Sequence, residues 1–392
     1  MYKEDEEDFS FTGFFVPLTT LKAITIIVIL GFIVFGNALF NSFVWDDKAF
    51  IINNPDVHSF NVSKILGPSK FNSGDYYRPI PAAYFSVMYS LFNEYSFFYH
   101  FVQIFLHILN AILLFILFKS FFKEKLALFL AILFLIHPIN VEAVSFIGAT
   151  VSPLFSFFGI LAFVLLQKSR FTKIAYIFSP LLLLFSLLTK EEGMLYIILI
   201  LLFCILFQRK RLKYLLFSEF IVLIVYASLR FGIGKAFLNP SASYESAIDS
   251  KFIPILHLPF IERLVTMPEV VFYYLKTFFY PAQLSINQLW VVSSPSLHDF
   301  YLPLFFISIF LCGALLFARY LFTTNKEAFK IFMFFSLWFL FGIGMHLHTI
   351  PLDMTVADRW FYFPIIGLLG MMGVGIQMFI KNKRLRRAIV VL

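Results

Sequence analysis

With 392 residues, of which 60% are hydrophobic and only 14% charged, and a mean hydropathy of +0.86, the chain lies outside the composition of soluble globular domains and needs the bilayer as solvent. The formal net charge of +8 does not mark a nucleic-acid binder, because the basic residues fall in short clusters between apolar runs, the pattern of cytoplasmic loops. Cys204 and Cys312 both sit inside apolar runs, which makes them packing residues rather than a disulfide or metal pair.

Residues 1–20 are acidic (Glu4, Asp5, Glu6, Glu7, Asp8) and lack the basic start and cleavage site of a secretory signal. The first apolar helix is therefore expected to be an uncleaved anchor. A spanning helix needs about 20 mostly apolar residues. Such runs lie near 22–41, 98–118, 126–146, 151–168, 174–189, 193–208, 213–231, 301–321, 328–349 and 360–380. The pattern predicts an all-α polytopic transmembrane bundle, a single domain over 1–392, with about 10–11 spanning helices.

The connectors Lys119/Lys123/Lys125, Lys168/Arg170/Lys173, Arg209/Lys210/Arg211/Lys213, Arg319/Lys326/Lys330 and Lys381/Lys383/Arg384/Arg386/Arg387 are expected on the cytoplasmic side, and they alternate correctly if the N-terminus is cytoplasmic. The stretch 263–280 is helical in pattern but carries Arg263, Pro268, Glu269 and Lys276. A full crossing there would place the later basic loops outside, so a re-entrant or interfacial helix on the external side is expected. Two external regions result, 42–96 and 231–300, each with an interfacial helix. Residues 387–392 begin a further apolar run, expected to be either the end of a short form or the start of another helix.

Polar residues gather in the predicted external segments. Asp46 and Asp47 follow the first helix directly, and two adjacent carboxylates at a membrane surface are costly unless solvated or used; an ordinary solvated loop is the alternative. Arg78, beside Tyr76 and Tyr77, has the planar donors that match phosphate oxygens, or anchors the chain at the interface with its tyrosines. His100, His107 and Asn110 share one helix face. The two histidines are two turns apart, too far for a common ion, and polar contacts between helices suit them better. His137-Pro138-Ile139-Asn140-Val141-Glu142, Thr189-Lys190-Glu191-Glu192-Gly193 and the turn from His346 to Pro364, with Arg359 among aromatics, fall on the same external side. Carboxylates and cations that converge at one face suit an anionic lipid-linked substrate.

Taken in order, Trp45-Asp46-Asp47, Tyr77-Arg78-Pro79, Tyr99-His100 with His107-Ile108-Leu109-Asn110, His137 to Glu142, Thr189 to Gly193, Asn239-Pro240, Tyr280 to Ser285 and Ala357-Asp358-Arg359-Trp360-Phe361-Tyr362 resemble the GT-C glycosyltransferases. The nearest likeness is to the membrane part of the transmembrane and tetratricopeptide-repeat O-mannosyltransferases and their bacterial relatives, over about residues 30–380. Two departures stand out. Gly148-Ala149-Thr150-Val151-Ser152-Pro153 lacks the charges of the family's Gly-Arg-x-Asp element, and Asp358-Arg359-Trp360 replaces its Glu-Arg-Tyr.

The resemblance implies an inverting transfer of a sugar, mannose by analogy, from a dolichyl- or undecaprenyl-phosphate donor to a hydroxyl of a protein or glycan acceptor at the non-cytoplasmic face. Asp46 is then the base with Asp47 orienting it. Arg359, Arg78 and Lys190 contact the donor phosphate, and His100, His107, His137 and Glu142 are candidates for sugar or acceptor binding. No cofactor is implied, and a divalent metal is not expected. The rivals are a transporter or flippase of lipid-linked intermediates and a non-catalytic scaffold. The phenylalanine-rich composition points to a bacterial inner membrane. The alternative is the endoplasmic reticulum, where Asn61-Val62-Ser63 would be a glycosylation acceptor.

Overall fold

A computed structural model describes residues 18–67, 69, 71–72, 76–167, 172–234 and 254–381. The acidic start, Asp75, Lys168, Arg170, Asn239-Pro240, and the basic residues after Lys381 with the final apolar run, lie outside the described residues. All ten apolar runs are helical: α1 (Thr20–Phe35), α3 (Ser96–Phe118), α4 (Glu124–Ile136), α5 (Val151–Gln167), α6 (Thr172–Thr189), α7 (Met194–Phe207), α8 (Leu212–Ala227), α10 (Leu302–Thr324), α11 (Lys326–Gly344) and α12 (Pro364–Lys381). Between them come α2 (Pro79–Phe92) and α9 (Phe260–Phe279).

Among the described residues, 6 helices are long and apolar enough to cross a membrane, and a bent pair raises the number to 7. This falls short of the about 10–11 expected spans, because the other apolar runs continue through tight turns that end the helices. Pro138 ends α4, and the chain turns by 50° into Pro138–Ser145, since proline cannot continue the helical ladder. Lys190 leaves α6 in an extended conformation, φ −156°, before the turn Glu191–Gly193 starts α7. Gly193 is required there: a Cβ would stand 2.5 Å from the Ser186 carbonyl carbon.

Phenylalanine fills the core. Phe118, Phe121 and Phe203 pack on Phe334 and Phe335, which in turn pack on Trp338; its indole N–H donates to the Phe363 carbonyl at 3.1 Å, so its one polar atom is satisfied. Edge-to-face pairs such as Phe121–Phe335 at 5.1 Å and Phe163–Phe203 at 5.2 Å use the geometry that aromatic quadrupoles favour. Glycines let α12 approach α11: a Cβ on Gly367 would lie 2.4 Å from the Phe339 backbone nitrogen, the close packing that small residues permit between membrane helices. A second, smaller core of Ile51, Val57, Ile65, Phe71, Ala82, Phe85, Met88, Tyr99 and Ile147 folds the segment after α1 onto α2 and α3.

The two ends of the bundle differ in chemistry. At one end Lys119 Nζ donates to Glu124 and Thr20, each at 2.6 Å, Ser120 donates to Gln167, and Arg211 donates to the Leu166 carbonyl. The described basic connectors between α3 and α4 and between α7 and α8 therefore share that end. The turns at 43–47, 146–150, 190–193 and 345–360 lie at the opposite helix ends and enclose a cavity. The buried face of α9 carries Arg263, Thr266, Val270, Tyr274 and Thr277, a helical stripe, and this helix packs beside α10.

Candidate active site

A cavity of about 500 Å³ opens among those turns, and Asp46, Arg78, Lys190 and Arg359 all line it. Four of the nine residues singled out from sequence are thereby brought together from four separate segments. Asp46 sits in a tight turn after α1. Trp45 has φ 44°, a left-handed conformation that costs a bulky residue energy, and its ring stacks on Phe146 at 5.8 Å. Asp47, fully buried, accepts from the Val44 amide at 3.0 Å and the Gly148 amide at 2.7 Å. Asp47 thus ties the turn to the neighbouring loop, and Asp46 is presented to the cavity. Burial raises the Asp46 carboxyl above the usual carboxylate range, Arg359 opposes this, and Asp353 adds to it. Burial likewise lifts Asp47 to about 6 against its two amide donors, with the Asp46 charge adding to the rise.

The cations are each held by a carboxylate. Arg78 donates through Nε at 3.0 Å and Nη2 at 2.7 Å to Glu191, and its guanidinium lies 4.2 Å above the Tyr76 ring. The other Glu191 oxygen receives Arg230 Nη1 at 3.3 Å. Burial works to raise the Glu191 carboxyl, but the two arginines outweigh it and hold the group below its ordinary value. Lys190 pairs with Glu192 at 2.5 Å, and His346 stands 3.7 Å from the same carboxylate. Burial pushes His346 down to about 4, against the pull of Glu192, so its ring is neutral. That ring stacks on Trp360 at 4.9 Å.

Arg359 is placed by the chain on either side of it. Asp358 accepts from Tyr273 at 2.6 Å and from the Ser285 amide at 3.0 Å, Ala357 exchanges hydrogen bonds with the Tyr274 hydroxyl, and Val356 pairs with Gln288. The helix α9 and the segment after it therefore act as the scaffold of this turn. Glu142 receives both the Arg359 amide, at 2.7 Å, and its guanidinium, so it is a partner of a cavity cation and does not line the cavity.

None of the three candidate histidines lines the cavity. His107 accepts from Tyr362 through Nδ1 at 2.8 Å and donates from Nε2 to the Leu135 carbonyl at 2.9 Å, and Asn110 bridges Tyr362 and the Pro153 carbonyl. These contacts join helices. His137 Nε2 donates to the Phe278 carbonyl at 3.0 Å, while Nδ1 accepts from Ile139, which fixes the turn after α4. His100 is buried in α3. Among the described residues no group of three or more His, Cys, Asp or Glu could hold a metal ion.

Sequence reasoning missed Arg230, His346 and Asp353 as members of the site. His346 and Asp353 lay in a turn already marked by Arg359. Arg230 had no motif around it and becomes visible only when the end of α8 is folded against Glu191.

No family model matches the chain, and no solved structure matches it. Among curated proteins it is 30% identical over 186 residues to human protein O-mannosyl-transferase TMTC3, covering 44% of this chain and 20% of that protein. It is 29% identical over 186 residues to the Caenorhabditis elegans protein O-mannosyl-transferase F38B6.6, covering 26% of the latter, and 33% identical over 146 residues to human TMTC1, covering 17% of it. The chain spans between about a sixth and a quarter of the length of these curated relatives. The likeness read from its motifs therefore holds: over 44% of its length the chain is a homologue of proteins named protein O-mannosyl-transferases.

Proposed function

We propose that this protein is an inverting glycosyltransferase that moves a sugar, mannose by likeness to its relatives, from a polyprenyl-phosphate donor to a hydroxyl of a protein acceptor at the non-cytoplasmic face of its membrane. The observation that carries this reading is the Asp46 carboxylate facing a cavity lined by Arg78, Lys190, Arg230 and Arg359, with Glu191, Glu192 and Asp353 among them. The names of the relatives support a protein acceptor. The sidedness rests on the separation of the basic loops from the cavity, which puts the N-terminus in the cytoplasm and the cavity outside if basic loops stay inside.

In the proposed reaction the Asp46 carboxylate takes the proton of the acceptor hydroxyl as that oxygen bonds to the anomeric carbon. The bond from anomeric carbon to phosphate oxygen breaks on the opposite face, so the electron pair leaves with the polyprenyl phosphate. A pKa raised by burial suits a group that must accept a proton. The cations stabilise the charge that grows on the leaving phosphate, in an environment fixed before the reaction begins. A transporter would place ionisable groups along a path near the midplane, whereas these crowd one end of the bundle. The scaffold reading leans on the missing charges after Gly148, yet that loop still supplies an amide to Asp47.

The test is transfer from polyprenyl-phosphate mannose to an acceptor peptide by the purified protein in nanodiscs. Asp46→Asn is expected to lower kcat by about a hundredfold or more, the scale of general-base catalysis, with unchanged expression. Wild-type turnover in that variant would remove Asp46 from the mechanism, and an inert wild-type protein across a panel of polyprenyl-phosphate sugars would remove the enzyme reading.

A further inference from the structure

Positive charge gathers at the N-terminus of α9, and no anion of the described residues meets it. The helix begins at Phe260 behind Pro259, which gives no side-chain cap. The Arg263 amide is bonded to the Pro259 carbonyl at 3.2 Å, but among the described residues the amides of Phe260, Ile261 and Glu262 have no acceptor. They stand open at the end of a helix of 20 residues, where the helix dipole adds partial positive charge.

Arg263 brings a full charge to the same place. Side chains on a helix lean toward its N-terminus, and this guanidinium lies 5.7 Å from the Phe260 ring. The residue is only 9% exposed. Its Nε and Nη1 are enclosed with no hydrogen-bond partner, which leaves Nη2 as the nitrogen with open surface. Glu262 is exposed and stands about 100° round the helix, and Asp353 lines the cavity, which Arg263 does not. His348 supplies no negative charge either. It donates from Nε2 to the Thr355 carbonyl at 2.8 Å, and its Nδ1 is enclosed without a partner. Burial holds this ring below its ordinary value against that hydrogen bond, and the Arg263 charge lowers it further, so the histidine is neutral.

A charge enclosed without a counter-ion is costly, and an open helix N-terminus beside it is an arrangement that binds anions. The surroundings narrow the class of anion. Phe260 is 49% exposed, Ile261 74% and Leu264 42%, on the other flank of the same two turns, and α9 is not among the helices long and apolar enough to cross a membrane. Apolar side chains on such a helix are covered by acyl chains at the membrane interface. The anion found beside acyl chains is a lipid phosphate.

We infer that Arg263 and the N-terminus of α9 form a binding site for the phosphate of a bilayer phospholipid, apart from the cavity. The phosphate accepts from the open amides and from Nη2, and the acyl chains lie along Phe260, Ile261 and Leu264. Tyr273 and Tyr274 of the same helix hold the turn before Arg359, so the bound lipid braces the scaffold of the cavity.

The test uses the purified, delipidated protein in dodecyl maltoside, with native mass spectrometry for binding and the thermal unfolding midpoint for its effect. The probes are phosphatidylglycerol, diacylglycerol and inorganic phosphate. Wild type is expected to prefer phosphatidylglycerol to diacylglycerol by about tenfold or more and to unfold at a higher temperature when it is bound. Arg263→Met removes the unmatched charge, so the lipid-free variant should unfold no lower than wild type while losing most of the preference and of the lipid-induced rise. Arg263→Lys should recover part of both, and Lys64→Ala, on the surface pair with Asp56, should behave as wild type. Full preference in Arg263→Met, or equal binding of the two lipids by wild type, would overturn the inference. So would a lipid-free Arg263→Met protein much less stable than wild type, because the guanidinium would then be satisfied within the protein. An equal rise with inorganic phosphate at the same concentration would assign the site to free phosphate and overturn the lipid.

Discussion

Asp47 is fully buried and is not among the residues that line the cavity, yet its loss should impair turnover. Its carboxylate is the acceptor for the Val44 and Gly148 amides and so holds a turn in which Trp45 sits at φ 44°. A left-handed conformation at a bulky residue costs about 1–3 kcal/mol. The Gly148 amide, left without an acceptor in a half-buried loop, would cost about 1–3 kcal/mol more, whereas the Val44 amide lies where Val44 is exposed and water can replace the lost acceptor. These two quantities are of the same size. Asp47→Ala therefore removes what offsets the strain, and Trp45 is free to relax toward an ordinary conformation. The turn would then carry Asp46 away from its place, and a misplacement of about 1 Å can cost about a hundredfold in rate. Steady-state transfer assays should show a kcat lowered by about a hundredfold and a donor KM near that of wild type, because Arg78, Lys190 and Arg359 are anchored elsewhere. Asp47→Asn keeps one acceptor oxygen and should fall between. A wild-type kcat in Asp47→Ala, or a loss expressed only in KM, would refute the idea that Asp47 positions the base.

Three further outcomes follow from the same structure. If Asp46 is the base, it must be ionised, and burial raises its pKa, so kcat/KM should climb as pH rises through an acidic limb lying above the ordinary aspartate value and fall away below it; a profile flat down to pH 4 would contradict the assignment. Glu142→Ala removes the buried carboxylate that pairs with the half-buried Arg359 guanidinium, a change bounded above by the about 3–5 kcal/mol lost when fully buried pairs are broken, and should lower the thermal unfolding midpoint in detergent more than Glu142→Gln, which still accepts from the Arg359 amide. Gly367→Ala drives a Cβ to 2.4 Å from the Phe339 backbone and should destabilise by about 1–3 kcal/mol or more, while Gly313→Ala meets nothing within 4 Å and should be neutral or stabilising by up to about 1 kcal/mol; equal unfolding midpoints for the two variants would mean that the α11–α12 approach is not tight.

The helices were legible because a membrane imposes one signal, a long apolar run, and every run predicted from sequence is helical in the structure. Their ends were less so. The segments before Lys190 and after Gly193 read as two full spans, but Gly193 packs against the backbone of α6, and α7 has only 14 residues, about 21 Å of helix. Charge convergence at one face was also legible, from Arg78, Lys190 and Arg359 at predicted external turns. The histidines show the limit of that reasoning. A histidine in an apolar helix has the same sequence signature whether it binds a sugar or joins helices, and His107 joins α3 to Tyr362 and to the end of α4. Arg230 was invisible for the opposite reason: its meaning depends on Glu191, 39 residues earlier, and on a π-helical turn that hydropathy does not encode.

The pairing of every cavity cation bears on how the proposed chemistry would work. A cation left free in a half-buried cavity would draw water or an adventitious anion and would have to shed it before a substrate phosphate could bind. Here Arg359 is gripped by Glu142 and by carbonyl and sulfur contacts from Ile286 and Met354, Lys190 by Glu192, and Arg78 by Glu191. Each is thus fixed in position before a ligand arrives, and charges that need not reorganise stabilise a developing anion most effectively. On the base side the two carboxylates differ in access rather than in basicity. Burial raises both, and lifts Asp47 to about 6 even though two amides donate to it. Asp47 is fully buried, so its oxygens are engaged in holding the turn, whereas Asp46 lines the cavity, where an acceptor hydroxyl can reach it. The adjacent pair therefore divides two tasks that one carboxylate could not perform together: one is spent on geometry, and the other is presented to take a proton.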